Sequence, residues 1–399
     1  MKAIHFTPLG NVAEIRSGVG FPVHLQGRTE GTYPFAKVGD ISALARSGAS
    51  NLHRAKNFVN AIDVELLKSK PFPTDTIVFA KIGEAIRQNF RAILKVPALV
   101  DNNVMGVTPD REILDARYLY HYLTSVDMYP LAQSTTVPSI RKTDLERLQV
   151  PLPPLAHQKR IVATLDQVEA LRAKRRQAIA LLDDLAQSIF LHMFGGNAVD
   201  RADIAPLSSV AHIASGITKG RKVPSGDLET LPYMAVANVQ DRRLVLSNVK
   251  EISVSPEERS RYALEFDDLL LTEGGDPDKL GRGTLWREEL PVCLHQNHIF
   301  RVRISQRDLV DPVYLNWIVS SDHGKRYFRR TAKQTTGIAS INKTQLGAFP
   351  LPLPPLTEQL EFRRRVEQVT TEQKVHRAHL ATLDELFASL QHRAFAGTL

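Results

Sequence analysis

The sequence predicts a mixed α/β protein with long helices, built as two similar halves. Three observations lead there. Val150-Pro-Leu-Pro-Pro-Leu155 recurs as Leu351-Pro-Leu-Pro-Pro-Leu356, with the two final leucines 201 residues apart. Behind each copy runs a segment with apolar residues spaced alternately four and three apart, Ala156 to Gly196 and Thr357 to Gly397. Ahead of each lie short alternating segments bounded by turn residues, the pattern of half-buried strands. Internal repeats fix the architecture before any other signal. Each half is therefore a globular part followed by one long helix. The boundaries fall at 1–154 for the first globular part, 155–197 for the first long helix, 198–355 for the second globular part and 356–399 for the second long helix.

The helical runs share one seam. It is Ile161, Leu165, Val168, Arg172, Arg175, Ile179, Leu182, Ala186, Ile189 and Met193 in the first. In the second it is Phe362, Val366, Val369, Gln373, His376, Leu380, Leu383, Phe387, Leu390 and Ala394. A sustained repeat of 3.5 residues marks a coiled-coil seam. The Pro-Pro pair blocks an earlier start, and Gly195-Gly196 and Gly397 supply the stops. At 1.5 Å per residue each helix is roughly 60 Å long. Both seams are polar at the centre. That is either a pair of solvated gaps or a layer that sets register.

The repeat continues into the globular parts with loops of different length between matched anchors. Ser17-Gly18 matches Ser215-Gly216. Phe35 to Ile41 matches Tyr233 to Val239, and both read as strands. Thr74 to Phe79 matches Phe266 to Leu271, a second strand begun by an acidic turn. Asn103 matches Asn297. Tyr118-Leu119 matches Tyr314-Leu315, two short helices. Ser139-Ile-Arg-Lys-Thr-Asp-Leu145 matches Ser340-Ile-Asn-Lys-Thr-Gln-Leu346. Framework sets the fold and loops carry recognition. Two copies of one frame with different loops predict recognition of two versions of one kind of target.

Composition limits the target. The chain has 51 Lys and Arg against 43 Asp and Glu, a formal charge of +8. That surplus suits a polyanion. One cysteine, Cys293, excludes a disulfide framework and a cysteine-based metal site. No apolar run is long enough to span a bilayer and the first residues lack a signal-peptide core, so a cytoplasmic protein is expected. Base readout is assigned to Arg87, Gln88, Asn89 and Arg91 in the loop after the second strand of the first half. Lys279 and Arg282 take that role in the second. Arg, Lys, Gln and Asn are the side chains that pair with base edges in the major groove. Phosphate contacts are assigned to Lys37, Arg141, Lys142, Lys219, Arg221, Lys222, Arg329, Arg330 and Lys343.

Catalytic signatures do not appear. There is no Walker A loop, dinucleotide fingerprint, zincin or nucleophile elbow, and no cofactor-binding glycine motif or nuclease carboxylate–lysine set. Asp267-Asp268 reads as a strand-start turn rather than a pair of catalytic carboxylates. Cys293, His295 and His298 read as part of an apolar strand rather than metal ligands.

The doubled Pro-Leu-Pro-Pro-Leu motif, Gln158 and Gln359 behind it, and the two Ser-Ile-x-Lys-Thr segments resemble the specificity subunits of type I restriction-modification systems. Leu270-Leu-Thr-Glu-Gly-Gly-Asp-Pro-Asp-Lys-Leu-Gly-Arg-Gly283 adds to the resemblance, which covers essentially the whole chain. The first half departs from it with Phe79-Ala-Lys-Ile-Gly83. The resemblance implies two target recognition domains of mixed α/β structure separated by an antiparallel coiled coil. Each domain would read half of a split, asymmetric site in double-stranded DNA. Two methyltransferase subunits, carrying S-adenosylmethionine and the adenine-methylation chemistry, would dock on the chain, and motor-nuclease subunits would join that core. This chain would hold no cofactor and no active site. An unstaggered antiparallel pair is expected not to bring Arg172 and Arg175 against Gln373 and His376. Two other readings compete: a coiled-coil scaffold binding protein, and a stand-alone nucleic-acid enzyme such as a fused methyltransferase.

Overall fold

The computed structural model describes residues 5–133, 137–195, 203–222, 226–276, 279–335 and 338–399. The chain forms two compact units, Met1–Ile179 with Val375–Leu399, and Ala180–Lys374. Each unit therefore contains one globular part and a segment of both long helices.

In the first unit a five-stranded sheet has the order Ala13–Ser17, Val104–Pro109, Ile77–Ala80, Arg91–Leu94, Asn51–Leu52. The first four pair antiparallel and the last joins in parallel. In the second unit the corresponding sheet is Ala211–Ser215, Ile299–Ile304, Leu269–Thr272, Gly283–Leu285, antiparallel throughout. Each unit adds a three-stranded sheet. Its middle strand, Tyr33–Ala36 or Glu229–Met234, pairs antiparallel on one side and parallel on the other. Ile77, Val78 and Phe79, like Leu269, Leu270 and Leu271, are buried. A strand buried on both faces carries an unbroken apolar run instead of alternation.

Two predicted strands end early. Tyr33–Ala36 stops because Lys37 begins a helix, Val38–Arg46. The Asp40 carboxylate accepts the Lys37 N–H at 2.8 Å, half of a capping box. In the second copy Asn238 accepts the Ala235 N–H at 2.9 Å, and the chain turns after Met234 before a short strand, Val239–Gln240. Val38-Gly-Asp-Ile41 alternates by period two, but the local side-chain bond to the backbone decides against a strand.

The acidic strand starts are turns. Asp75 and Asp267 have φ of 64° and 72°. Asp75 is held by Lys95 at 3.0 Å and Arg111 at 3.2 Å. Asp267 is held by Arg287 and by Arg307 at 3.2 Å. The helices at Tyr118 and Tyr314 are Ala116–Ser125 and Pro312–Ser320, each capped by an aspartate, Asp115 or Asp311.

The long helices are Leu155–Phe194 and Leu356–Ala396. Gly397, at φ 78°, ends the second. Within the first unit Ile161, Leu165, Val168, Phe387 and Ala394 are buried in the domain core. There Arg172 donates to Asp384 at 2.5 Å and Arg175 to His376 at 3.1 Å, so the two segments run antiparallel. Within the second unit Gln373 donates to Asp183 at 2.7 Å, and Phe362 packs on Phe190 with ring centroids 5.6 Å apart, again antiparallel.

These contacts correct the expectation for the polar layer. Arg175 and His376 do meet, because they lie at matching heights near the middle of helices of almost equal length. Arg172 and Gln373 each take an aspartate within their own unit. Asp384 and Asp183 are themselves equivalent positions of the repeat, so the polar centre is a set of bonded pairs rather than a gap.

One residue explains the recurring motif before the helices. Gln158 is fully buried and donates to the carbonyls of Ile113 (2.9 Å) and Pro153 (2.8 Å) while accepting the Asp115 N–H at 2.8 Å. Gln359 repeats this with Leu309, Pro354 and the Asp311 N–H. Tyr118 and Tyr314 hydroxyls donate to Pro151 and Pro352 carbonyls at 2.9 and 3.0 Å. The prolines break the strand, and the glutamine ties the new helix to the loop that caps its neighbour.

Candidate nucleic-acid interface

Four of the repeated anchors converge at one end of each main sheet. In the first unit the central strand ends at Ala80, and Lys81 follows. The Lys81 N–H donates to Asn103 O at 2.9 Å, and the Lys81 carbonyl accepts from Ile140 N–H at 2.9 Å. The Lys81 ammonium donates to the Ser17 hydroxyl at 2.8 Å. Gly18 donates to Val104 O at 3.0 Å. In the second unit Glu273 stands where Lys81 does. Its N–H donates to His298 O and its carbonyl accepts from Ile341 N–H, both at 2.9 Å. Asn297 N–H donates to Ile217 O at 2.9 Å.

The Ser-Gly repeat now has a physical cause. A Cβ on Gly18 would lie 2.2 Å from the carbonyl oxygens of Val100 and Asp101, and one on Gly216 would lie 1.9 Å from His295 O. Only glycine lets the strands close this tightly. The rim is polar. Glu273 and His298 form a pair at 2.7 Å and line a shallow cleft with Gly274, Gly275 and Ser340. The basic turn 218–222 leaves directly from Ile217, which bridges to Gln296. Lys333 lies opposite Ser340, and Ser340 lies opposite Gly274, so all three sit side by side across one small sheet.

The predicted base-reading residues divide. Arg87 is exposed, paired with Glu84 at 2.9 Å and stacked over Tyr129. Gln88 is exposed and accepts from Arg46 at 3.1 Å. Asn89 and Arg91 belong to the framework instead. Asn89 turns left-handed at φ 52° and donates to the Thr124 and Val126 carbonyls at 3.1 and 3.0 Å. Arg91 is 3% exposed, donates to Asn89 and Phe90, and lies over the Phe79 ring. Burial pulls its guanidinium down to about 9. In the second unit Lys279 is exposed and pairs with Asp276. Arg282 is half-buried and donates to Gln240 at 3.3 Å.

The phosphate group divides too. Arg141, Lys219, Lys222, Arg329, Arg330 and Lys343 are exposed and have no ion-pair partner among the described residues. Lys142 is exposed but pairs with Glu146 at 3.5 Å. Lys37 is half-buried, donating to Gln26 at 2.8 Å over the Phe21 ring. Arg221 is an internal tie, bidentate to Glu258 at 2.5 and 2.6 Å and bonded to Ser253 O. Donation to the Glu258 carboxylate raises the Arg221 pKa.

Reasoning from sequence missed Lys81 and Glu273. Their signal was position: each directly follows the central strand of its half, at matched places in the repeat.

The residues with metal-like spacing go elsewhere. Cys293 is buried and its thiol is pushed up to about 12. His295 is fully buried, bonded to Tyr262 O at 3.0 Å, and burial brings it down to about 4. His298 faces Glu273 at the rim. His121, Asp166 and Glu169 come within 4.8 Å of one another in the first unit. Arg117 bonds both carboxylates, at 2.8 and 3.0 Å, so this cluster is an ion network joining the domain to its helix.

Residues 1–181 match the family model described as the type I restriction modification DNA specificity domain. The chain is 24% identical over 320 residues to the StySPI specificity subunit of Salmonella potsdam, covering 74% of this chain and 68% of that protein. It is 25% identical over 318 residues to the EcoKI specificity subunit of Escherichia coli K12, covering 74% and 68%. Its fold resembles the type I S subunit of M. genitalium, with a TM-score of 0.57 at 14% identity over 99% of this chain and 97% of that one. A chain from a structural study of type I complex assembly aligns with a TM-score of 0.54 at 18% identity, covering 100% and 99%. In its duplicated frame and paired long helices the chain is similar to the specificity subunits of type I restriction-modification systems, and its first 181 residues match their DNA specificity domain.

Proposed function

We propose that this chain selects the DNA sequence on which a type I complex acts, each globular part reading one half of a bipartite, asymmetric site in double-stranded DNA. The observation that carries this reading is the rim. One backbone frame, built twice, presents different side chains at matched places, as two half-sites of different sequence require. The division into domain 1–154, helix 155–197, domain 198–355 and helix 356–399 assigns recognition to the globular parts. The helices set the gap between half-sites and dock two methyltransferase subunits. Those subunits carry S-adenosylmethionine and the methylation chemistry, and restriction-motor subunits join through them, in the cytoplasm. The chain has no catalysis of its own.

Among the predicted contacts, Arg87, Gln88, Lys279 and Arg282 remain base-reading residues. Arg141, Lys142, Lys219, Lys222, Arg329, Arg330 and Lys343 bind phosphates, with Lys37 at the edge of that surface. Arg91, Asn89 and Arg221 support the fold.

The test is a methylation map of cells carrying this gene with its cognate methyltransferase, against cells with this gene deleted. The expected result is loss of a methyladenine motif made of two defined blocks with a fixed gap. An unchanged map despite an assembled complex overturns the reading and favours a protein-binding scaffold.

A further inference from the structure

Lys81 and Glu273 occupy the same backbone position in the two copies. Each follows the last residue of the central strand, donates its N–H to the turn before the neighbouring strand, and accepts from the isoleucine of the Ser-Ile segment. The turn residue that receives the bond is Asn103 in one copy and His298 in the other, one place beyond the Asn297 that the sequence matched, and both are exposed. The main chain is therefore duplicated here while the chemistry is inverted. An ammonium has only donors, and a carboxylate has only acceptors. In the second unit the carboxylate stands on a rim shared with exposed cations. Ile217, at the root of the Lys219 turn, is bonded to Asn297, next to His298. Lys333 is one strand beyond Ser340. A carboxylate beside exposed lysines repels the backbone of DNA, and with His298 on one of its oxygens Glu273 can still accept from a donor on a base edge.

We infer that these matched pairs, Lys81 with Asn103 and Glu273 with His298, are specificity-determining contacts. Lys81 meets the acceptor edge of a guanine, N7 and O6, and Glu273 meets the exocyclic amine of a cytosine. Asn103 and His298 flank them, and His298 orients Glu273 through their 2.7 Å bond. Ser17 does the same for Lys81 through its 2.8 Å bond. This inference rests on the DNA-reading function proposed above and names where in each domain one base is chosen.

The experiment uses the full chain assembled with its methyltransferase, and a pool of duplexes randomised across both half-sites. Bound duplexes are sequenced for the natural protein, Lys81→Gln, Glu273→Gln and His298→Ala. Glu273→Gln is nearly isosteric and lies at the surface, so it keeps the fold intact. The expected result for Glu273→Gln is a loss of roughly tenfold or more in preference for cytosine at one position of one half-site, with the other half-site and the salt slope unchanged. Lys81→Gln should relax guanine at one position of the opposite half-site. His298→Ala should weaken the same position as Glu273→Gln.

If the variants give profiles that superimpose on the natural one, or weaken every duplex equally, these residues do not read bases and the inference is overturned while the general function stands. If the natural complex itself shows no base preference, the DNA-reading function fails and takes the inference with it.

Discussion

At the scale of single residues, the structure separates side chains that face solvent from side chains that hold the fold. Arg91 looked like a reader because arginine beside glutamine and asparagine is the composition of a base-contacting loop. Its place on a buried strand makes it a prop for Asn89 and for the ring of Phe79. Arg91→Ala should lower stability through lost packing and leave base preference untouched. A changed preference in the bound-sequence profile would return it to the reading surface. Gln158 and Gln359 carry a different expectation. Replacing either by alanine leaves two carbonyls and one N–H buried without partners, a cost of about 2–3 kcal/mol. Denaturant unfolding of the single variants should show a lowered midpoint of similar size for each, since both make the same three bonds. Neither glutamine could be graded from composition. What revealed them was their constant place behind the prolines, while one of the two carbonyls each meets comes from a loop 45 or 50 residues earlier.

At the scale of elements, the long helices were the most legible part of the chain. Their apolar spacing is local and their stops are glycines, so nothing distant had to be known. The strands were less legible. Buried on both faces, Ile77–Ala80 and Leu269–Thr272 show no alternation. The false strand past Ala36 alternates yet bends into a helix under the control of one aspartate. The polar layer could not be paired from sequence because pairing depends on the relative height of two helices far apart in the chain. Two tests belong here. Phe362 meets Phe190, Phe194 and Trp317 with ring centroids 5.3 to 5.6 Å apart. Phe362→Ala should cost about 3–5 kcal/mol, read as a lower melting temperature of the second unit. Asp166 joins the helix to the first domain. Burial alone would raise its pKa, but the bonds from His121 and Arg117 outweigh that and hold it below the ordinary carboxylate range. A depressed carboxylate stabilises the fold above its unfolded pKa, and that contribution is lost as pH falls through the folded one. The stability difference between the natural chain and Asp166→Asn should therefore be full at pH 6 and shrink as pH falls below about 4. A difference that stays constant from pH 6 to pH 3 would show that the ion network adds nothing.

At the scale of the whole molecule, charge and duplication together make the functional case. The surplus of eight positive charges does not choose a target. The exposed cations with no ion-pair partner among the described residues do more, because a cation already bonded within the protein releases few counterions on binding DNA. Lys219→Ala should weaken binding to all duplexes alike and reduce the salt slope by about one, measured as log affinity against log salt. Loss of affinity at one base position only would make Lys219 a reader. Arg221→Ala, two residues on, should instead destabilise the second unit, since its guanidinium is spent on Glu258 and Ser253. From sequence these two bases looked alike; only the fold assigns one to solvent and the other to an acid.

The rim has one more consequence. Its closure at Lys81 and Glu273 rests on N–H and carbonyl groups, with glycine required at 18 and 216, where a Cβ would meet carbonyl oxygens. Main-chain bonds survive almost any substitution. A lineage can therefore drift at the outward-facing positions without passing through misfolded ancestors. Substitutions on that surface should therefore leave the fold standing, whereas Gly18→Ala or Gly216→Ala should force the strands apart.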